Sequence, residues 1–193
     1  VKTEQNQMRD VLHVAHDMAR EMPRDTLGMV GYGFMELRDG DGQLKMLVPF
    51  ANIITDVGDM YYAQKGIVGI APAAPAAPTA ITGMQIGSGT TAVAKAGAGG
   101  AMVTLLVGIA GFDTTYPSVS NLGAGLGVNM VYKTTFSAGS GTGTVGEATI
   151  TNGTATVAST VANTISRVLV SPTIVKAAAD SLAITWNHKN LGV

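Results

Sequence analysis

At 193 residues with no Cys, the chain is long enough to bury a core unaided and carries neither a disulfide framework nor thiolate chemistry. Its formal net charge of -1 leaves no electrostatic footprint for nucleic acid or an anionic membrane surface, so neither is an expected partner. The polar start Val1-Lys2-Thr3-Glu4-Gln5 predicts no secretory signal, and the missing Met predicts trimming. The longest strongly apolar uncharged window, Ala96 to Phe112, has 17 residues and five Gly, too short and too rich in Gly for a membrane helix.

In chain order, the first expected element is a helix over Thr3 to Met22. There Met8, Val11, Leu12, Ala15, Met18, Ala19 and Met22 recur at three- and four-residue spacing; Thr3 with Asn6 caps the start and Pro23 ends it. Tyr32 to Arg38 and Gln43 to Phe50 flank Asp39-Gly40-Asp41-Gly42 and predict a hairpin. A short helix follows over Asn52 to Gly66, with Thr55 or Asp56 near its start. The Ala/Pro run from Ala71 to Pro78 predicts an extended linker. Beyond it, Met102–Ile109, Val128–Phe136, Glu147–Thr151, Ala155–Val161, Ile165–Val170 and Leu182–Trp186 read as six short strands.

The fold class expected is therefore mainly β, an N-terminal helix and hairpin followed by an antiparallel β-sandwich. The chain divides on this reading into 1–70 for docking, a linker at 71–79, and a sandwich over 80–193. Leu105, Val131, Phe136, Val168, Leu182, Ile184 and Trp186 form its expected core.

Charge is placed unevenly, since residues 1–66 hold 17 of the 25 Asp, Glu, Lys and Arg and the other 127 residues hold eight. A half so poor in charge either hides surface against sister chains or is solvated by Thr, Ser, Asn and Gly. Burial between identical chains is the reading preferred here.

No constellation specifies catalysis, a cofactor or a metal. His13 and His16 stand three apart near Asp10 and Asp17, yet no third ligand is specified, so a solvated or interface face is the better reading. His188, beside Trp186 and Lys189, is expected to pack at an edge, and as the one histidine after residue 66 it would have to serve any Ser–His–acid triad. Asp113, Glu147 and Asp180 are the carboxylates left after Asp59, and they read as turn, cap and ion-pair residues for Lys133, Arg167 or Lys176. The runs Gly123-Ala124-Gly125-Leu126-Gly127 and Gly139-Ser140-Gly141 lack the strand-before, helix-after context of phosphate loops and read as strand connections. Asp39-Gly40-Asp41-Gly42 lacks the glutamate of an EF-hand.

Four segments together resemble a module of tailed-bacteriophage structural proteins. They are Asn52-Ile53-Ile54-Thr55-Asp56-Val57-Gly58, Ile86-Gly87-Ser88-Gly89-Thr90-Thr91-Ala92, Glu147-Ala148-Thr149-Ile150-Thr151-Asn152, and the stretch from Val175 through Lys176, Asp180, Leu182 and Ile184 to Trp186. They are similar, in order, to a helix start Asn-x-Ile-Thr-x-x-Gly, a Gly-Thr-Gly-Thr-Thr-Ala turn, a Glu-Ala-Gly-Leu-Phe strand, and a closing Lys-x-x-x-Asp-x-Leu-x-Ile-x-Trp strand. Thr149 stands where that module has Gly. The resemblance covers Asn52 to the end. It implies a small β-sandwich in the virion, without catalytic residues, cofactor or metal, that associates as a symmetric homo-oligomer such as a trimer. On this expectation the chain is a capsid decoration protein bound to the major capsid protein, with a neck or tail fibre component as the alternative. A glycan-binding module ranks last, because only ten Phe, Trp and Tyr are present and most lie before residue 66 or at Phe136 and Trp186.

Overall fold

The computed structural model describes residues 4–21, 29–66, 77–78, 80–123, 127–152 and 156–190. Helix α1 spans Glu4–Glu21, and strands β1 (Met29–Arg38) and β2 (Leu44–Ile54) form the hairpin. Helix α2 covers Asp56–Gly66, followed by β3 (Gly83–Gly87), β4 (Leu105–Gly111), β5 (Ser118–Asn121), β6 (Val128–Phe136), β7 (Gly143–Thr151), β8 (Thr164–Lys176) and β9 (Ser181–Asn190). Short 3-10 turns lie at Gly97–Gly100 and Val161–Asn163. The strands follow one hydrogen-bonded order, β4-β3-β7-β8-β2-β1-β9-β6-β5, with antiparallel registers. The protein is mainly β and antiparallel behind an N-terminal helix and hairpin, as its periodicities imply.

Several boundaries differ from expectation for local reasons. Residues 52–54 finish β2 instead of opening the short helix, because Thr55 is the cap: its Oγ1 accepts from the Gly58 N–H at 3.0 Å and donates to the Thr164 carbonyl at 2.6 Å. The hairpin turn is closed by Asp39, whose Oδ1 accepts from the N–H groups of Asp41 (3.0 Å) and Gln43 (2.9 Å). Strands β3 and β5 were not anticipated. The stretch 155–161 is no strand over its described residues 156–161; it bends across β3, where Gln85 donates to the Val157 carbonyl at 2.8 Å and accepts from the Ser159 N–H at 2.8 Å. Thr3 and Pro23 lie outside the described residues, as does all of the 71–79 linker except Ala77 and Pro78.

The chain packs as two compact units that interleave in sequence, and the division at 1–70 and 80–193 is not the one the packing follows. The first unit comprises 1–52, 112–140 and 176–193; the second comprises 53–111 and 141–175. The physical reason is that β1 pairs with β9 along its whole length, from Met29 opposite Asn190 to Arg38 opposite Ser181, so the hairpin belongs with the last strand.

Within the first unit the order is β2-β1-β9-β6-β5, and α1 packs on β1, tied by Arg38 bonding Glu4 and Glu36. Rows of side chains cross the strands on one face: Phe136, Leu182, Leu37; then Thr134, Ile184, Met35, Val48; then Tyr132, Trp186, Gly33, Phe50. Gly33 is required in the third row, because a Cβ there would stand 2.2 Å from the Thr185 carbonyl oxygen and 2.6 Å from the Phe50 ring. Trp186 meets Phe50 edge-on at 4.9 Å between centroids, and its indole N–H donates to Asn52 Oδ1 at 2.7 Å.

Of the expected core, Phe136, Val168, Leu182, Ile184 and Trp186 are buried. Val131 and Leu105 are only half-buried. Val131 pairs with Asn187 and so points away from the face that carries Tyr132 and Trp186, while Leu105 starts an edge strand. Trp186→Ala is expected to cost about 3–5 kcal/mol, and Val131→Ala much less. Equal losses of melting temperature in the two variants would contradict this placement.

Candidate functional site

The most concentrated chemistry of the second unit surrounds Glu147. Strand β3 pairs with β7 so that Met84 opposes Ile150 and Ile86 opposes Ala148 on an apolar face. On the other face Gln85 opposes Thr149 and Gly87 opposes Glu147. That second face is polar yet buried, with Gln85, Glu147, Thr149, Thr151, Ser159, Thr164 and Arg167 all at 2% exposure or less.

Each of these groups is satisfied by a neighbour, as burial demands. Glu147 Oε1 accepts from the backbone N–H of Gly89 (3.0 Å), Val103 (3.1 Å) and Thr104 (2.8 Å). Its Oε2 accepts from Arg167 Nε (3.0 Å) and Nη2 (2.8 Å), and Arg167 Nη1 donates to the Gly99 carbonyl at 3.0 Å. One carboxylate and one guanidinium thus fasten both ends and the middle of the connection from β3 to β4. Gly89 is needed for this, since a Cβ there would lie 2.2 Å from Glu147 Oε1. Nearby, Ser159 accepts from the Thr164 hydroxyl (2.8 Å) and touches the Thr149 hydroxyl (3.3 Å), holding the 156–163 segment on the same face.

With both side chains at 0% exposure, both carboxylate oxygens bonded and each guanidinium nitrogen donating to a protein acceptor, the pair acts as a fastener. Arg167 was one of three cations matched in the sequence to the late carboxylates. Gln85, Ser159 and Thr164 were missed, although Met84-Gln85-Ile86 between two glycines is a strand with one polar residue that demands a partner.

The remaining weighed residues do not converge. Asp113 caps β6 by accepting from the Thr135 N–H (2.9 Å) and hydroxyl (2.8 Å), and meets Lys133 through its own backbone N–H. Asp180 pairs with Lys45 at 2.8 Å and accepts from the Ala177 N–H at 2.9 Å; these two bonds, Lys45 first, hold its carboxyl below the usual range. Lys176 donates to the carbonyls of Ser137 (3.0 Å) and Asp180 (2.6 Å), and burial pushes its ammonium down. His13 Nδ1 lies 3.1 Å from Asp17 Oδ2 on an exposed helix face, and the His16 side chain is outside the described residues. No cluster of three or more His, Asp or Glu placed to hold a metal occurs among the described residues. No helix among them is long and apolar enough to cross a membrane. The Gly139-Ser140-Gly141 run connects β6 to β7, as expected for a strand connection, while 124–126 of the other run lie outside the described residues.

His188 corrects its expected edge position. Strand β9 is central, between β1 and β6, and the imidazole is fully buried edge-on to Tyr132 (5.3 Å) and Trp186 (6.3 Å). The four segments singled out in the sequence become partners in pairs: Gly89 with Glu147 in the second unit, and Asn52 with Trp186 in the first. No protein-family model, curated protein or solved structure matches the chain.

Two outcomes follow. Glu147→Ala strands a buried guanidinium and three backbone N–H groups, a loss of about 3–5 kcal/mol. Arg167→Met alone is damaging because it strands the carboxylate, and adding Glu147→Gln removes that charge while keeping an acceptor for the loop. The double variant should melt above Arg167→Met, and a lower melting temperature would contradict the assignment.

Burial of His188 pushes its pKa down to about 3, against an ordinary value near 6.5 in the unfolded chain. The unfolded state therefore binds the proton more readily, so this contribution to stability is complete above about pH 6.5 and declines as pH falls toward 3, by at most about 1.4 kcal/mol per pH unit. Denaturant midpoints of the wild type should drop more steeply below about pH 6.5 than those of His188→Gln. Parallel profiles would contradict it.

Proposed function

We propose that the chain is a non-enzymatic structural protein of a tailed-bacteriophage particle, acting as a capsid decoration protein that binds the shell as a symmetric homo-oligomer. The observation that carries this reading is the use to which the four phage-like segments are put. Each segment gives at least one polar group to a scaffold bond: Glu147 with Gly89, Trp186 with Asn52, Thr55 with Gly58, and Asp180 with Ala177. A module whose charged groups fasten its own loops is suited to presenting a rigid surface.

Sparse charge fits the same role, since residues 67–193 carry only eight Asp, Glu, Lys and Arg, and dense copies on a shell would repel little. Affinity would come from multivalence, each further contact being effectively intramolecular once the first is made. The partners proposed are sister copies and the major capsid protein, with no nucleic acid, membrane or cofactor.

Copy number tests the role. A shell surface repeats hundreds of times and a neck or tail position a few, so quantitative staining of purified particles should show this chain at a stoichiometry comparable to the major shell protein. A few copies per particle would move it to the neck or a tail fibre, and its absence from particles would defeat the virion reading.

A further inference from the structure

The two ends of the strand order are built differently. At one end β5 is a four-residue strand, Ser118-Val119-Ser120-Asn121, short and polar as protected edges are. At the other end β4 reads Leu105-Leu106-Val107-Gly108-Ile109-Ala110-Gly111, with no charge and no Pro. Apolar residues on both faces are the composition of a central strand, covered on both sides. Yet Leu105 through Ala110 are half-buried and Gly111 is exposed, and no strand pairs with the outer side of β4 among the described residues. An edge of this composition is a template for a further extended strand.

We propose that this strand is the second copy's own β4, joined antiparallel about a two-fold axis at Gly108. This rests on the reading of the chain as a self-assembling structural protein, and not on where the assembly sits. The strand is self-complementary in that arrangement. Gly108 at the centre meets itself, Val107 meets Ile109, Leu106 meets Ala110 and Leu105 meets Gly111, so large side chains oppose small ones at the ends. Charge agrees, because the uncharged run between Lys95 and Asp113 lets two identical edges approach without like-charge repulsion. Val103, 42% exposed just ahead of β4, adds apolar surface beside the paired strands. Against β3 the register of β4 shifts at Gly108–Ile109, between the pairs Met84 with Ala110 and Ile86 with Val107, and again at Leu106; these irregularities twist the edge but add neither charge nor a missing donor. A three-fold ring of the same chain would use a different surface.

The full-length chain, studied by light scattering, should be a dimer or a multiple of two at about 10 µM, and Ile109→Lys should weaken association on the order of 100-fold while the chain stays folded. Since the protein has no Cys, single-cysteine variants report contacts between copies without background. Gly108→Cys should oxidise rapidly to a covalent dimer, whereas Val119→Cys on the β5 edge should link only at the rate of random collision. This second measurement decides the matter if Ile109→Lys fails to fold. An oligomer unaffected by Ile109→Lys, or equal cross-linking at both edges, overturns the β4 contact and leaves the assembly reading standing. A wild-type monomer at about 100 µM overturns the contact too, while particle stoichiometry still decides the virion reading separately.

Discussion

A carboxylate removed from water must have its lone pairs filled, and Glu147 meets that demand with three backbone N–H groups and two donors of Arg167. Much of the second unit is arranged around this requirement. The connection from β3 to β4 carries few large apolar side chains and is rich in Gly, Ala and Thr, so it has little hydrophobic area with which to hold itself down. Its position is set by hydrogen bonds at residues 89, 99, 103 and 104. Replacing the ion pair with apolar residues, often harmless elsewhere, would here leave the loop's own N–H groups without acceptors. The pair is therefore tied to one loop conformation as well as to stability.

The same face bears on the scarcity of charge after residue 66. A half-chain with few charged residues was read as one that hides its surface against sister copies. Part of the polarity it does have lies inside: Gln85, Thr149, Thr151, Ser159 and Thr164 are buried and bonded to one another or to backbone carbonyls. Threonine and serine suit this use, because a hydroxyl both donates and accepts and needs no counter-ion. The half-buried edge strand β4 lies outside this bonded polar face, and the proposed association between copies rests on it.

Strong periodicity made α1, the hairpin and β6 to β9 legible from sequence, and Leu182, Ile184 and Trp186 shared one face as their spacing of two requires. What was not legible depends on partners distant in sequence. The pairing of β1 with β9 spans almost the whole chain, so a division drawn at the Ala/Pro run separated strands that are neighbours. Strand β3 was hidden by Gln85, whose burial makes sense only once Val157 and Ser159 are seen to bond it. His188 looked like an edge residue because it lies near the end of the chain, whereas β9 is flanked by strands on both sides. Among the weighed carboxylates, the link between Glu147 and Arg167 was foreseeable as a charge match, but its three backbone ligands were not.

Amide hydrogen exchange at Gly89, Val103 and Thr104 tests the role of Glu147 most directly. If the carboxylate fastens the loop, these three amides, although outside regular secondary structure, exchange only as slowly as the core amides of β7 and β8, through unfolding of the whole unit. Exchange at the rate of an open glycine-rich loop, while β7 and β8 remain protected, would show that Glu147 does not hold these amides and would contradict the account.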